Sequence, residues 1–248
     1  MESSAIQEFY KGRSVLITGA TGFCGKSLLE KLLRSCPDIG NIFVLMRPKK
    51  GQDVEKRLAK LFSDPVFDTV KRCLKLPLEH KVFPVPGDIT QTGLGISVQN
   101  KDQLCREVSV VFHAAATIKF NENLRVALQT NVMGTQEVVE LCKQMPLIMA
   151  LVYVSTAYSQ CPLTEIEEKV YPPPHDPKRL SECVDWLSEK DFHSIEPTPA
   201  ILVKAHSLFL SRKCSTTNTK PFQALLSGSH NFDKIYIFHQ LPKLRTTK

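Results

Sequence analysis

The chain has 248 residues, enough for one large α/β domain or two small ones, and its 42% hydrophobic and 23% charged content is that of an ordinary folded protein. Its formal charge of +7 sits at one end. From Pro199 onward Lys204, Arg212, Lys213, Lys220, Lys234, Lys243, Arg245 and Lys248 face Asp233 as the sole acid, and residues 1–198 are balanced. That distribution, without interleaved aromatics, argues against a nucleic-acid-binding function.

No apolar run approaches the roughly 18–20 residues that a membrane span requires. Met1-Glu2-Ser3-Ser4 opens no basic region followed by an apolar core, so it does not read as a secretory signal. Eight cysteines (Cys24, Cys36, Cys73, Cys105, Cys142, Cys161, Cys183, Cys214) show no Cys-x-x-Cys or Cys/His ligand spacing. They are expected as reduced thiols in a cytosolic environment, with no metal site.

Periodicity predicts alternating strands and helices. Residues 14–17 read as a strand, then a Gly-rich turn and a helix over 22–35 with Leu28, Leu29, Leu32 and Leu33 on one face, stopped by Pro37. Residues 42–46 form the next strand, and 54–62 and 66–74 are helical. Strands at 81–85 and 108–113 bracket a helix at 101–107. A long helix over 124–145 precedes a fifth strand at 151–155. Residues 171–177, with four prolines, read as an extended loop, and 181–187 and 189–192 as short helix. After Pro199, Ser, Thr and Lys dominate and no alternation continues, so residues 199–248 are expected to be a disordered basic tail on a domain of residues 1–198. The pattern is that of a Rossmann-type, doubly wound parallel α/β sheet, in which ligands bind at the carboxyl ends of the strands.

The residues just after each strand carry the chemistry. Thr18-Gly19-Ala20-Thr21-Gly22-Phe23-Cys24-Gly25 follows the first strand and opens a helix. The G-x-x-G-x-x-G spacing suits a dinucleotide: Gly19 for the tight turn, Gly22 for access by the pyrophosphate, Gly25 for close helix packing, with the helix N-terminus facing the phosphates. Thr21 and Phe23 belong to the same expected site. The second strand ends in Leu45-Met46-Arg47-Pro48-Lys49-Lys50. A base at Arg47, where NAD-selective folds carry an acid, points to a 2′-phosphate and hence to NADPH.

Asp88 and Ile89 follow the third strand, where Asp88 is placed to accept from an adenine amino group or to serve as a turn residue. After the fourth strand, Ala114 and Ala115 are small enough for a cofactor to pass over the sheet, and His113 reads as a packed histidine. Asn131, inside the long helix, has either a structural or a water-holding role. At the end of the fifth strand Thr156, with Ser155 second, is the candidate catalytic hydroxyl, placed to hydrogen-bond a substrate carbonyl beside the nicotinamide.

Residues 9–23 (Phe-Tyr-Lys-Gly-Arg-Ser-Val-Leu-Ile-Thr-Gly-Ala-Thr-Gly-Phe) resemble the opening of the alcohol-forming fatty acyl-CoA reductases. So do residues 31–39 and 45–52, and downstream Val154-Ser155-Thr156-Ala157-Tyr158, Val170-Tyr171-Pro172-Pro173 and Asp185-Trp186-Leu187; the likeness runs over about residues 8–200. The resemblance implies NADPH as cofactor, a long-chain acyl-CoA as substrate, and reduction through an aldehyde to a primary alcohol with release of CoA. It also implies a location on the cytoplasmic side of peroxisomal or endoplasmic-reticulum membranes, for which no segment here reads as an anchor. The family's Tyr-x-x-x-Lys pair should follow the fifth strand, the Tyr donating a proton to the carbonyl oxygen. Tyr158 is followed at the required spacing by Pro162 and Tyr153 by Ala157, while the family's Thr-Pro anchor, matched by Thr198-Pro199, leads to Phe209 and Lys213. Phe has no hydroxyl. With family members much longer than this chain, it is expected to be a truncated form with a foreign or frame-shifted tail after about residue 199. A catalytically dead NADPH-binding fragment or isoform is the alternative.

Overall fold

In the computed structural model, which describes residues 4–49, 52–73, 77–119, 122–156, 165, 176–186 and 235–240, a parallel sheet is wound in two directions from its first strand. The first half runs β1 (Ser14–Thr18), α2 (Phe23–Ser35), β2 (Ile42–Met46), α3 (Val54–Phe62), α4 (Asp68–Cys73) and β3 (Val82–Pro86), with α1 (Ala5–Tyr10) leading in. The second half runs α5 (Val98–Glu107), β4 (Val108–His113), α6 (Leu124–Ala127), α7 (Gly134–Cys142) and β5 (Ala150–Thr156). Helix α8 (Pro177–Trp186) and strand β6 (Ile235–Gln240) follow. The strand order is β3-β2-β1-β4-β5-β6, and every pairing is parallel. This is the doubly wound Rossmann order, and its switch point lies between β1 and β4.

Side-chain alternation along the strands feeds two separate cores. Val15, Ile17, Ile42, Val44, Val110 and Phe112 face α2, α3 and α4, meeting Leu29, Leu32, Leu33, Leu58, Leu61 and Val70. Leu16, Phe43, Leu45 and Val111 face the opposite way, onto Leu104, Leu128, Val138, Val139 and Leu141. Residues such as Leu16, Ile17 and Leu29 are fully buried, each stabilising the fold by about 1.5–3 kcal/mol before entropy is counted. The central strands β1, β2 and β4 are buried throughout, whereas β3 is partly exposed. Strand β3 holds Pro84 and Pro86, which an edge position tolerates because no ladder donor is lost on its open side.

Three expectations need correction. The helix foreseen over 124–145 is interrupted by a π-helical turn, Leu128–Met133, between α6 and α7. Apolar spacing does not distinguish an i→i+5 turn from an α-helical one; the break is made by tertiary contacts at Asn131 and Gly134 described below. Second, regular structure continues beyond Pro199: residues 235–240 (Ile-Tyr-Ile-Phe-His-Gln) form β6 alongside β5. That run is rich in β-branched and aromatic residues, and its polar surroundings masked it. Third, α1 was not foreseen, although Ser4 and Gln7 make a complete capping box. The boundary expected at residue 198, the residue 189–192 helix and the Phe209–Lys213 segment lie outside the described residues, as does most of the 171–177 loop.

Candidate functional site

A cleft of about 450 Å³ opens at the carboxyl ends of β1, β2, β3 and β4. Its walls include Thr18, Gly19, Thr21, Gly22, Arg47, Arg57, Asp88, Ile89, Thr90, Ala114, Ala115 and Thr117. Of the residues expected from the sequence, Gly19, Thr21, Gly22, Arg47, Asp88, Ile89, Ala114 and Ala115 thus come together.

The glycines are required by the space around them. Gly19 has φ of +75°, a left-handed conformation, and a Cβ there would lie 2.6 Å from the carbonyl carbon of Ala114 and the nitrogen of Ala115. The turn after β1 and the strand end of β4 are therefore in direct backbone contact. Gly25 packs α2 onto that turn, since a Cβ would stand 2.7 Å from the carbonyl carbon of Gly19. Gly22 is the N-cap of α2 and supplies no side-chain cap. The first-turn amides are left without a side-chain cap beside a cleft-lining residue, with the partial positive charge of a helix start.

Arg47 lies at the far end of the cleft with its side chain 64% exposed, and its Nη1 is 3.7 Å from Oδ2 of Asp88. Arg57 of α3 donates from Nη1 to the backbone carbonyl of Arg47 and itself lines the cleft, so two guanidinium groups stand at this end. Arg57 was not picked out in the sequence, where it reads as one charge on the polar face of an amphipathic helix. Asp88 has a second duty. Its Oδ1 accepts from the amide of Thr90 at 3.0 Å and from the Thr90 hydroxyl at 2.8 Å, which shapes the turn after β3.

Three of the expected cofactor residues sit elsewhere, and the candidate catalytic Ser155 does not line the cleft. Phe23 is 84% exposed and Gly25 is buried between α2 and the Gly19 turn; neither lines the cleft. Asn131 is buried in the π-helical turn. Its Oδ1 accepts from the Thr117 amide at 2.8 Å, and its Nδ2 donates to the Thr117 carbonyl at 3.1 Å. Of the two roles open to Asn131, these bonds supply the structural one. Gly134, the next helical residue after the π-helical turn, packs instead against the segment after β3, because a Cβ there would be 2.8 Å from the Ile89 carbonyl oxygen.

His113 is a packed histidine, as its sequence context suggests: 1% exposed, stacked on Tyr153 at 5.4 Å and bonded to two threonines. Burial pushes the Tyr153 hydroxyl well above the ordinary tyrosine range, against a hydrogen bond with Thr135. On β5, Tyr153 is level with His113 of β4. Ser155, buried, and Thr156, the last residue of β5, therefore extend to the level where β4 gives way to Ala114 and Ala115. Among the described residues no helix is long and apolar enough to cross a membrane.

Comparison with known proteins agrees with this geometry. Residues 17–204 match the model of the family described as male sterility protein, an NAD-binding domain. A putative fatty acyl-CoA reductase of Drosophila melanogaster is 43% identical over 206 residues, which are 83% of this chain and 39% of that one. Fatty acyl-CoA reductase 1 of Xenopus laevis is 45% identical over 193 residues, 78% of this chain and 37% of that one. The chain thus spans less than two fifths of the length of either relative. Among solved structures, the terminal R domain from the myxalamid PKS-NRPS biosynthetic pathway superposes with a TM-score of 0.54 at 27% identity, covering 80% of this chain and 45% of that one.

Proposed function

This chain belongs to the male sterility protein family, and from that membership we propose that it is the NADPH-binding part of a reductase that converts long-chain fatty acyl-CoA to fatty alcohol. The observation that carries the reading is one cleft with an uncapped, glycine-lined helix start at one end and two guanidinium groups at the other. The similarity to fatty acyl-CoA reductases supports the substrate class.

The residues present fit a dinucleotide, since Gly19 lets the turn after β1 meet the Ala114–Ala115 backbone that floors the cleft, and Gly22 puts no side chain at its wall. When bound, the reduced nicotinamide supplies a hydride. Gly19, Thr21, Gly22 and the first-turn amides of Phe23 and its neighbours hold the pyrophosphate, with Gly25 seating the helix. Arg47, braced by Arg57, forks onto the 2′-phosphate with charge-assisted bonds, which sets NADPH above NADH. Asp88 and Ile89 border the adenine. Ala114 and Ala115 give the cofactor a floor, and Asn131 fixes the loop beyond them. Thr156, with Ser155 second, hydrogen-bonds the substrate carbonyl oxygen as negative charge develops there. We place this domain in residues 1–198, with β6 added to its sheet from the basic tail.

Phe209 favours a second reading, because it stands where the family's proton-donating Tyr is expected. A chain lacking that donor binds NADPH but is catalytically dead or nearly so, since a positioned general acid is worth about 100- to 10,000-fold in rate. Calorimetry with NADPH and NADH, followed by an NADPH-consumption assay with a long-chain acyl-CoA, separates the readings. Binding with turnover supports the reductase, binding without turnover supports the dead form, and no affinity for either coenzyme refutes both.

A further inference from the structure

Behind the cleft floor lies a chain of buried hydrogen bonds that joins β1, β4 and the π-helical turn. The Ala115 amide donates to Oγ1 of Thr18 at 3.3 Å, and Oγ1 of Thr18 is 2.6 Å from Nδ1 of His113. Nε2 of His113 is 3.0 Å from Oγ1 of Thr135, which donates to the Asn131 carbonyl at 2.7 Å. The Asn131 side chain then clamps both backbone groups of Thr117. The Ala114 amide is tied to the Thr18 carbonyl at 3.2 Å. Thr18, His113, Thr135 and Asn131 are all at most 5% exposed.

The partners dictate the tautomer. With the Thr135 proton given to the Asn131 carbonyl, Oγ1 of Thr135 accepts from its other two neighbours, the Tyr153 hydroxyl and His113, so Nε2 carries the hydrogen. Nδ1 is then an acceptor and takes the proton of the Thr18 hydroxyl, whose oxygen still accepts from Ala115. The opposite tautomer would leave Nε2 facing a hydroxyl with no proton to give, and would turn Nδ1 into a donor, so that the Thr18 hydroxyl proton loses its acceptor. In a buried network either fault is expensive. The ordered backbone at the end of the chain, Ala114 to Thr117, is a cleft wall and meets the Gly19 turn at contact distance.

We infer that His113 is a positioning residue for the dinucleotide: as the Nε2–H tautomer it aligns one directed hydrogen-bond chain that holds the Ala114–Thr117 backbone against the phosphate-binding turn. The effect on the cofactor runs through Thr18 and Ala115, and the Thr135 arm anchors the ring to the π-helical turn. The inference deepens the cofactor reading above and rests on it, but the tautomer can be measured without a cofactor.

The full chain, labelled with nitrogen-15 at histidine, gives that measurement in two-bond nitrogen–proton spectra near neutral pH. The His113 signals are identified by their loss in His113→Asn. A protonated Nε2 with an unprotonated Nδ1 is expected; a protonated Nδ1 overturns the inference. NADPH affinity then separates positioning from packing. In His113→Asn the amide oxygen replaces Nδ1 as acceptor for Thr18, and affinity should stay within a few-fold of the parent. His113→Gln keeps only the Thr135 side, and His113→Phe keeps only the stacking on Tyr153. Both should bind roughly tenfold more weakly, the worth of about one buried hydrogen bond. Equal affinity of the Asn and Phe variants, at comparable melting temperatures, overturns the positioning role. A parent protein without affinity for NADPH or NADH overturns the cofactor reading and the dinucleotide role together, while the tautomer still decides the hydrogen-bond chain.

Discussion

Replacing Arg47 with Ala should reduce NADPH affinity and leave NADH affinity nearly unchanged. A hydrogen bond to a charged group contributes about 1.5–3 kcal/mol. The lower part of that range applies, because the Arg47 side chain is 64% exposed and its charge is screened by water. Some of the gain is offset in the free protein, where Arg47 stands 3.7 Å from Asp88; an exposed pair of that kind is worth about 0–1 kcal/mol. The net is about 1–2 kcal/mol, or roughly a 5- to 30-fold weaker NADPH complex. NADH presents no 2′-phosphate, and removing the guanidinium leaves the Asp88 carboxylate facing a ribose hydroxyl, so its affinity should change by less than about twofold. Isothermal calorimetry on the parent and the variant with both coenzymes measures the difference, and the NADPH preference should also shrink as salt is raised. Equal losses for NADPH and NADH would show that Arg47 supports the turn rather than a phosphate, and the selectivity argument would fail.

The two cleft glycines should separate fold from binding. Gly19→Ala puts a methyl at a φ of +75° and 2.6 Å from the Ala114–Ala115 backbone, so it should destabilise the protein by about 1–3 kcal/mol in thermal melts. Gly22 has a φ of −81° and meets nothing closer than the Gly19 carbonyl at 3.3 Å; Gly22→Ala should cost under about 1 kcal/mol of stability yet at least about tenfold in NADPH affinity. A larger melting shift for Gly22→Ala than for Gly19→Ala would contradict the packing argument. Burial pushes the Cys142 thiol and the Tyr153 hydroxyl upward, so the folded state holds protons that the unfolded chain releases. Stability from these groups is whole below the ordinary thiol value of 9.0 and declines as pH rises above it, which alkaline melts will register as a falling midpoint. Of the described cysteines, a maleimide should label exposed Cys73 and Cys183 first in the native protein, and Cys36 and Cys142 only on unfolding; rapid native labelling of Cys142 would refute its burial.

The parallel, doubly wound fold was legible because each central strand is a short, mostly apolar and wholly buried run bounded by turn residues. Such runs occur in strands buried on both faces, and residues 42–46 were placed to the residue. Boundaries shifted where capping chemistry outweighed apolar spacing. Helix α5 starts at Val98 rather than residue 101 because the Ser97 side chain accepts from the Asn100 amide. Asp64 acts in a similar way on the helix expected over 66–74, which is preceded by a 3₁₀ turn and starts at Asp68. It accepts from the Val66 amide and pairs with Lys26, which starts the 3₁₀ turn Pro65–Phe67 and holds the Asp64 carboxyl below its usual range, the Lys26 bond being the larger cause. The π-helical turn left no periodic trace, since its cause is a long-range bond from Asn131 to Thr117 rather than any local preference.

For the site, the legible part was the part that glycine and charge dictate. Gly19, Gly22 and Arg47 are conspicuous because Gly19 has no side chain where one is forbidden, Gly22 leaves the helix start bare, and Arg47 has the wrong sign for the common alternative. Arg57 was hidden by its helix, where an amphipathic pattern explains a surface arginine without any ligand. His113 was read correctly as packed, yet its sequence context gave no hint of the two threonines that fix its ring, because Thr18 and Thr135 lie on other elements and are common residues in strands and helices. A cofactor cleft of this kind is therefore written in two layers. The wall that touches phosphate is set by local backbone geometry and can be read from spacing, while the layer that holds the wall still is set by buried hydrogen-bond partners far apart in the chain. The second layer fixes the Ala114–Thr117 floor to the Gly19 turn, so the precision of the site depends on residues that no cofactor motif contains.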